Sequence, residues 1–126
     1  MEIKSAIIGM GQMEVLPGQP LLNYRKAADI VEGAIKEQMN IVVLPELCIP
    51  GYLIGDAWER PSFLRECEDH GKKLAELSGD IVIVFGNIAV DWNKKNEDGR
   101  PRKYNACFVA ENGEFITPSR LNSTVD

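Results

Sequence analysis

A carboxylate stands where an apolar run ends: Ile41-Val42-Val43-Leu44 leads into Pro45-Glu46-Leu47, with Gly51 and Tyr52 five and six residues after Glu46. The run has the length and composition of a buried strand, and Pro45 stops it. Open α/β sheets bind their ligands at the C-terminal ends of strands. A carboxylic acid at such a mouth loses hydration, which raises its pKa above the reference of about 4.3 and makes it a better proton acceptor near neutral pH. The plainer alternative is a strand-end glutamate that caps the next turn or pairs with a surface lysine. On the residues alone both readings stand.

Cys48, Cys67 and Cys107 are the available thiols, and their positions do not have metal-ligand spacing. His70 stands alone as well, so no metal site is expected. Cys67 falls on the helical stripe Phe63, Cys67, Leu74, Leu77, which suits a small core hydrophobe better than a nucleophile. Gly9-Met10-Gly11 follows an apolar run like part of a dinucleotide fingerprint, but position 14 is Glu and no helix pattern opens there. Trp58 and Trp92 read as packing or interface residues.

Placing Glu46 at a strand mouth requires a sheet around it. Ser5 to Met10 is a short apolar run suited to a strand, followed by the turn residues Pro17-Gly18-Gln19-Pro20. From Asn23, a candidate cap, Tyr24, Ala27, Ala28, Val31, Ala34 and Ile35 recur at helical spacing to about Met39. After the Ile41 to Leu44 strand, Glu46 to Pro61 reads as a loop, and Ser62 can cap a second helix reaching Leu77. Ile81 to Val90 is a long strand, Asp91 to Lys103 a charged loop, and Tyr104 to Ala110 a further strand. Asn112-Gly113 then supplies a tight turn before Phe115-Ile116. The order βαβαβββ with continuous apolar strands predicts an α/β fold whose parallel unit is covered by helices. Pro118 to Asp126 shows no strand or helix period, and a sheet left with open edges there suggests part of a larger domain.

With 126 residues, 44% of them hydrophobic, the chain can bury one core. A net charge of -5 argues against nucleic acid as a partner, because such proteins carry a basic face. The run Lys94-Lys95, Arg100, Arg102 and Lys103 is broken by Glu97 and Asp98 and reads as a solvated loop. No apolar stretch approaches the roughly 20 residues of a membrane span. The start Met1-Glu2-Ile3-Lys4 has no leader pattern, and with dispersed cysteines it predicts a reducing, cytoplasmic setting.

The segment Val42 to Tyr52 resembles the first signature of the nitrilase superfamily of carbon-nitrogen hydrolases, whose members use a Glu, Lys, Cys triad on an αββα sandwich. Met10-Gly11-Gln12-Met13, Gly51 to Trp58 and Tyr104-Asn105-Ala106, in that order, make the chain most similar to the start of the glutaminase domain in the glutamine-dependent NAD synthetase family. The resemblance runs from the first strand to about Ile116. It implies the N-terminal half of a nitrilase-type sandwich, with Glu46 as the general base for a cysteine and Tyr52 lining the pocket of a small amide substrate, glutamine. Asn105 receives no role from it. The family's lysine and nucleophilic cysteine lie beyond the hairpin, so residues 1–126 are expected to form a partial hydrolase domain without them and without a second domain. Arg120, the only cation past the hairpin, lacks the family's surrounding pattern. Synthetase-type members carry a Cys-Glu-Asp string at the nucleophile, but Cys67-Glu68-Asp69 sits in a helix ahead of the Tyr104 strand and does not correspond to it.

No cofactor is implied for this domain; ATP and Mg serve a separate synthetase domain of that family. Nitrilase-type domains commonly pair, which implies a homo-oligomer. Two alternatives from other classes remain at this point: a short non-catalytic α/β interaction module, and a small nucleotide-binding α/β domain.

Overall fold

The structure, a computed structural model, describes residues 5–52 and 54–116 and the backbone of 123 and 124. Its elements are β1 (Ile8–Met10), α1 (Pro20–Lys36), β2 (Ile41–Val43), a 3₁₀ turn (Gly55–Glu59), α2 (Pro61–Glu76), β3 (Val82–Lys95), β4 (Pro101–Glu111), β5 (Glu114–Phe115) and β6 (Ser123–Thr124). They form one mixed sheet. β1, β2 and β3 run parallel, β4 returns antiparallel to β3, and β5 and β6 both pair with β4.

Both helices begin on a proline, which tolerates the first helical turn because its missing N–H would be unpaired there anyway. The expected caps are therefore displaced. Ser62 makes no cap hydrogen bond, and Asn23 lies inside α1. Fully buried, Asn23 accepts from the Leu16 N–H at 2.7 Å and donates to the carbonyls of Leu16 at 2.7 Å and Ile49 at 2.9 Å. It clamps the segment before α1 to the segment after Glu46, a long-range duty that a cap does not have.

Val42, Ile83 and Ala110 stand in register across β2, β3 and β4 and are buried beneath the helices, where Ala27, Val31, Phe63, Leu64, Cys67 and Leu74 meet them. Close approach of α2 depends on Gly71, since a Cβ there would lie 2.6 Å from the Asn87 amide nitrogen. Val43, Val84 and Val109 are in register on the opposite face and only half-buried, and Ile8 and Met10 near them are 56% and 78% exposed. One side of the sheet is thus an apolar face that the described residues cover only in part.

The charged loop expected from Asp91 to Lys103 is shorter than its composition suggests. β3 and β4 continue pairing through an irregularity between Asp91 and Lys95, leaving residues 96–100 as the turn. Lys103 is not solvated: it is buried, and its Nζ donates to the Trp58 carbonyl at 3.1 Å, tying the 3₁₀ turn to β4. The Asn112-Gly113 turn has φ values of 55° and 80°, the left-handed pair that a two-residue hairpin requires. Ser123–Thr124 pairs with β4 at Tyr104 and Asn105, where the sequence showed no strand period. Arg120 and Leu53 lie outside the described residues.

Candidate functional site

Glu46 sits where the chain leaving β2 crosses β3. Leu44 N–H donates to the Val84 carbonyl at 2.8 Å, Gly86 N–H to Pro45 at 3.2 Å and Cys48 N–H to Gly86 at 3.1 Å, so the strand edge is followed past Pro45. Leu47 then takes a left-handed φ of 47°, which turns the chain away. The crossing is close: a Cβ on Gly86 would lie 2.6 Å from Glu46 Cα and 2.3 Å from Leu47 N. Only glycine leaves room for this seat.

Two side chains from different elements hold the carboxylate. Tyr52 Oη donates to Glu46 Oε2 at 2.8 Å, and Asn105 Nδ2, from β4, donates to Oε1. Gly51, with φ of 83°, packs so tightly on Pro17 and Leu16 that a Cβ would meet Pro17 Cα at 2.8 Å, and this turn brings Tyr52 back over Glu46. Glu46 remains exposed to solvent, and Tyr52 is 48% exposed.

The electrostatic consequence reverses the expectation from desolvation. The Tyr52 hydroxyl, then the Asn105 amide, hold Glu46 below the ordinary glutamate range, outweighing the small opposing effect of burial. Hydrogen bonds that favour the charged form win because the carboxylate stays at the surface. Glu46 is therefore ionised at neutral pH and can accept a proton. Partial loss of hydration, with the hydrogen bond to and charge of Glu46, pushes the Tyr52 phenol up to about 12, so it stays a donor.

The structure brings Glu46 and Tyr52 together and adds Asn105, to which the sequence assigned no role. Its signal was present but weak: an amide on the same side of an apolar strand as Cys107 and Val109. Beside the site, a groove of about 380 Å³ runs between Met10, Gln12 and Val43 to Pro45. Among the described residues no group of three or more His, Cys, Asp or Glu could hold a metal ion. No described helix is long and apolar enough to cross a membrane.

No cysteine among the described residues hydrogen-bonds Glu46. Cys48 is fully buried with Sγ 3.4 Å from the Gly86 carbonyl, and burial pushes its thiol up to about 12. Cys67, fully buried in α2, is pushed up to about 12 by burial and then by the charges of Glu66 and Glu68. Cys107 is only half-buried. A thiol reagent at pH 8 is therefore expected to label Cys107 first and to reach Cys48 and Cys67 only after unfolding, because attack requires an accessible thiolate. Mass spectrometry of the timed reaction reads the order, and rapid labelling of Cys67 in the folded chain would reinstate it as a candidate nucleophile.

Residues 6–121 match the carbon-nitrogen hydrolase family. The chain is 30% identical over 99 residues to an apolipoprotein N-acyltransferase of Aquifex aeolicus, covering 79% of this chain and 18% of that protein. It is 30% identical over 94 residues to a glutamine-dependent NAD(+) synthetase of Thermotoga maritima, covering 75% of this chain and 15% of that one. The chain thus spans less than a fifth of either relative. Among solved structures, a glutamine-dependent NAD+ synthetase from Acinetobacter baumannii superposes with a TM-score of 0.78 at 26% identity, over 95% of this chain and 21% of that chain. An amidase from Nesterenkonia sp. superposes with a TM-score of 0.76 at 17% identity, over 96% of this chain and 45% of that one, a likeness of fold alone.

Proposed function

The chain belongs to the carbon-nitrogen hydrolase family, and from that premise we propose that it forms the N-terminal part of an amide-hydrolysing domain in which Glu46 moves the protons. The observation that carries this reading is the Glu46 carboxylate at the end of β2, ionised and gripped at both oxygens by neutral donors. A base must be unprotonated and aimed before it can act. In this reading the lysine and cysteine of the family's triad lie outside residues 1–126.

The reaction would proceed in two halves. Glu46 takes the proton of the cysteine thiol as sulfur attacks the amide carbonyl, and the oxyanion rests on the lysine. Collapse expels ammonia, with the proton returned from Glu46, and leaves a thioester. Glu46 then deprotonates the water that attacks the thioester; the C–S bond breaks, and the proton passes from Glu46 to the departing sulfur, leaving a carboxylic acid and the free thiol. Tyr52 lines the substrate pocket with its half-exposed ring while its hydroxyl stays on Glu46.

Similarity to the NAD synthetases supports glutamine as the amide, with ammonia passed to a synthetase domain that uses ATP and Mg to amidate nicotinic acid adenine dinucleotide. Similarity to an N-acyltransferase supports a second reading, in which an amine rather than water accepts the acyl group. Incubating the full-length protein with glutamine tests the first: glutamate and ammonia are expected in equal amounts. Turnover of other primary amides without glutamine would replace the substrate, and no amide turnover at all would remove the hydrolase reading.

A further inference from the structure

Asn105 is an expensive residue for its place in β4. It pairs with Ile88 and shares its side of the strand with Lys103 before it and with the apolar Cys107 and Val109 after it. A carboxylate can only accept hydrogen bonds, so the contact with Glu46 requires the NH₂ end of the Asn105 amide to face Oε1. That orientation turns Oδ1 inward, where it is buried without a donor among the described residues. A desolvated acceptor with no partner lowers stability, and an apolar side chain of similar size would avoid the loss. Packing alone therefore gives no reason for an amide here.

We propose that Asn105 is a positioning residue, retained in β4 at a cost in stability to hold the Glu46 carboxylate in one orientation. Its importance for the reaction rests on the reading of Glu46 as the acid/base. The geometry explains why a second donor is needed. Glu46 is exposed, and the Tyr52 hydroxyl alone would leave the carboxylate free to swing about that single bond. A donor on the other oxygen, from a strand 59 residues away, stops the rotation. Each oxygen keeps a lone pair for the reacting group, because each donor occupies one of two. A neutral amide suits the task, since a cation bonded to Oε1 would make the carboxylate a still weaker base. Lys103, two residues earlier on the same face, is kept from that position by its hydrogen bond to the Trp58 carbonyl.

The test titrates Glu46 by NMR of ¹³C-labelled glutamate in the full-length protein and in Asn105→Leu, with thermal unfolding of both. The expected result is an upward shift of the Glu46 midpoint and an unfolding temperature that is not lowered. An unchanged midpoint would overturn the inference, and a clear fall in unfolding temperature would overturn the claim of a stability cost. If the leucine variant does not fold, Asn105→Ala is titrated instead and its midpoint read in the same way. The pH profile of amide hydrolysis separates this inference from the reading it rests on. A shifted midpoint with the acid limb of kcat/KM moving upward supports both, whereas a shifted midpoint with an unmoved limb supports the role of Asn105 and sinks Glu46 as the base.

Discussion

Replacing Glu46 with glutamine in the full-length protein is expected to slow amide hydrolysis by roughly 10²- to 10⁴-fold, the usual contribution of a positioned acid/base. The substitution preserves shape and leaves the Tyr52 hydroxyl an acceptor, but a carboxamide takes no proton at neutral pH. Its NH₂ group can be accepted by the Tyr52 hydroxyl oxygen, or by Asn105 Oδ1 once that amide turns over, so the grip seen on the carboxylate is rearranged rather than lost. The loss should fall on kcat rather than KM, since the exposed site and its groove keep their form. If the proposed synthetase domain uses the ammonia, synthesis from added ammonia would be retained. Tyr52→Ala is expected to act more mildly than Glu46→Gln, raising KM and also moving the acid limb of kcat/KM upward, because it removes one of the two donors on the Glu46 carboxylate. The pH dependence of the parent has a definite sign: Glu46 is held below the ordinary glutamate range, so activity should persist to lower pH than an unperturbed glutamate allows and fall only as that carboxylate protonates. Steady-state kinetics across pH reads these quantities together, and unchanged turnover in Glu46→Gln would take Glu46 out of the mechanism.

A polypeptide of residues 1–126 produced alone is expected to self-associate and to hydrolyse no glutamine. The association follows from the uncovered side of the sheet. Val43, Val84 and Val109 form a half-buried row, with Ile8 and Met10 exposed at its edge. Soluble monomers seldom leave apolar patches larger than a few hundred Å² in water, and burial returns about 25 cal/mol for each Å² removed. A second copy can supply the cover. Val84→Lys, in the middle of the row, should disperse the assembly because the ammonium can reach solvent there. The same charge at Ile83, one residue away and facing the helices with 0% exposure, should unfold the chain instead. Light scattering on the three proteins reads the mass, and a stable, sharply unfolding monomer of the parent polypeptide would sink the half-covered sheet. The absence of turnover follows from the Glu46 surroundings, where Tyr52 and Asn105 supply donors but no described thiol is bonded to Glu46. Turnover dependent on Cys107 would overturn that part.

Much of this architecture could be read one element at a time. Apolar runs of strand length at Ile41 to Leu44 and Ile81 to Val90, the helical stripe through Phe63, Cys67 and Leu74, and the left-handed Asn112-Gly113 turn are local patterns, decided by a residue and its near neighbours. The place of Glu46 after a proline-stopped strand is of the same kind, as is the burial of Cys67. What the carboxylate meets there is not. Asn105 reaches it across 59 residues, through the register that sets β4 against β3. Its grip and that of Tyr52 turned the pKa of Glu46 downward, where strand-mouth position alone suggested upward. Asn23 and Lys103 escaped for the same reason, since a cap and a solvated loop are what their neighbours suggest, while their partners at Ile49 and Trp58 lie 26 and 45 residues away. Periodicity encodes which face of an element is apolar. Hydrogen-bond partners and the sign of a pKa shift depend on how separate elements are set against one another, and here strand pairing and the close seat on Gly86 decided that.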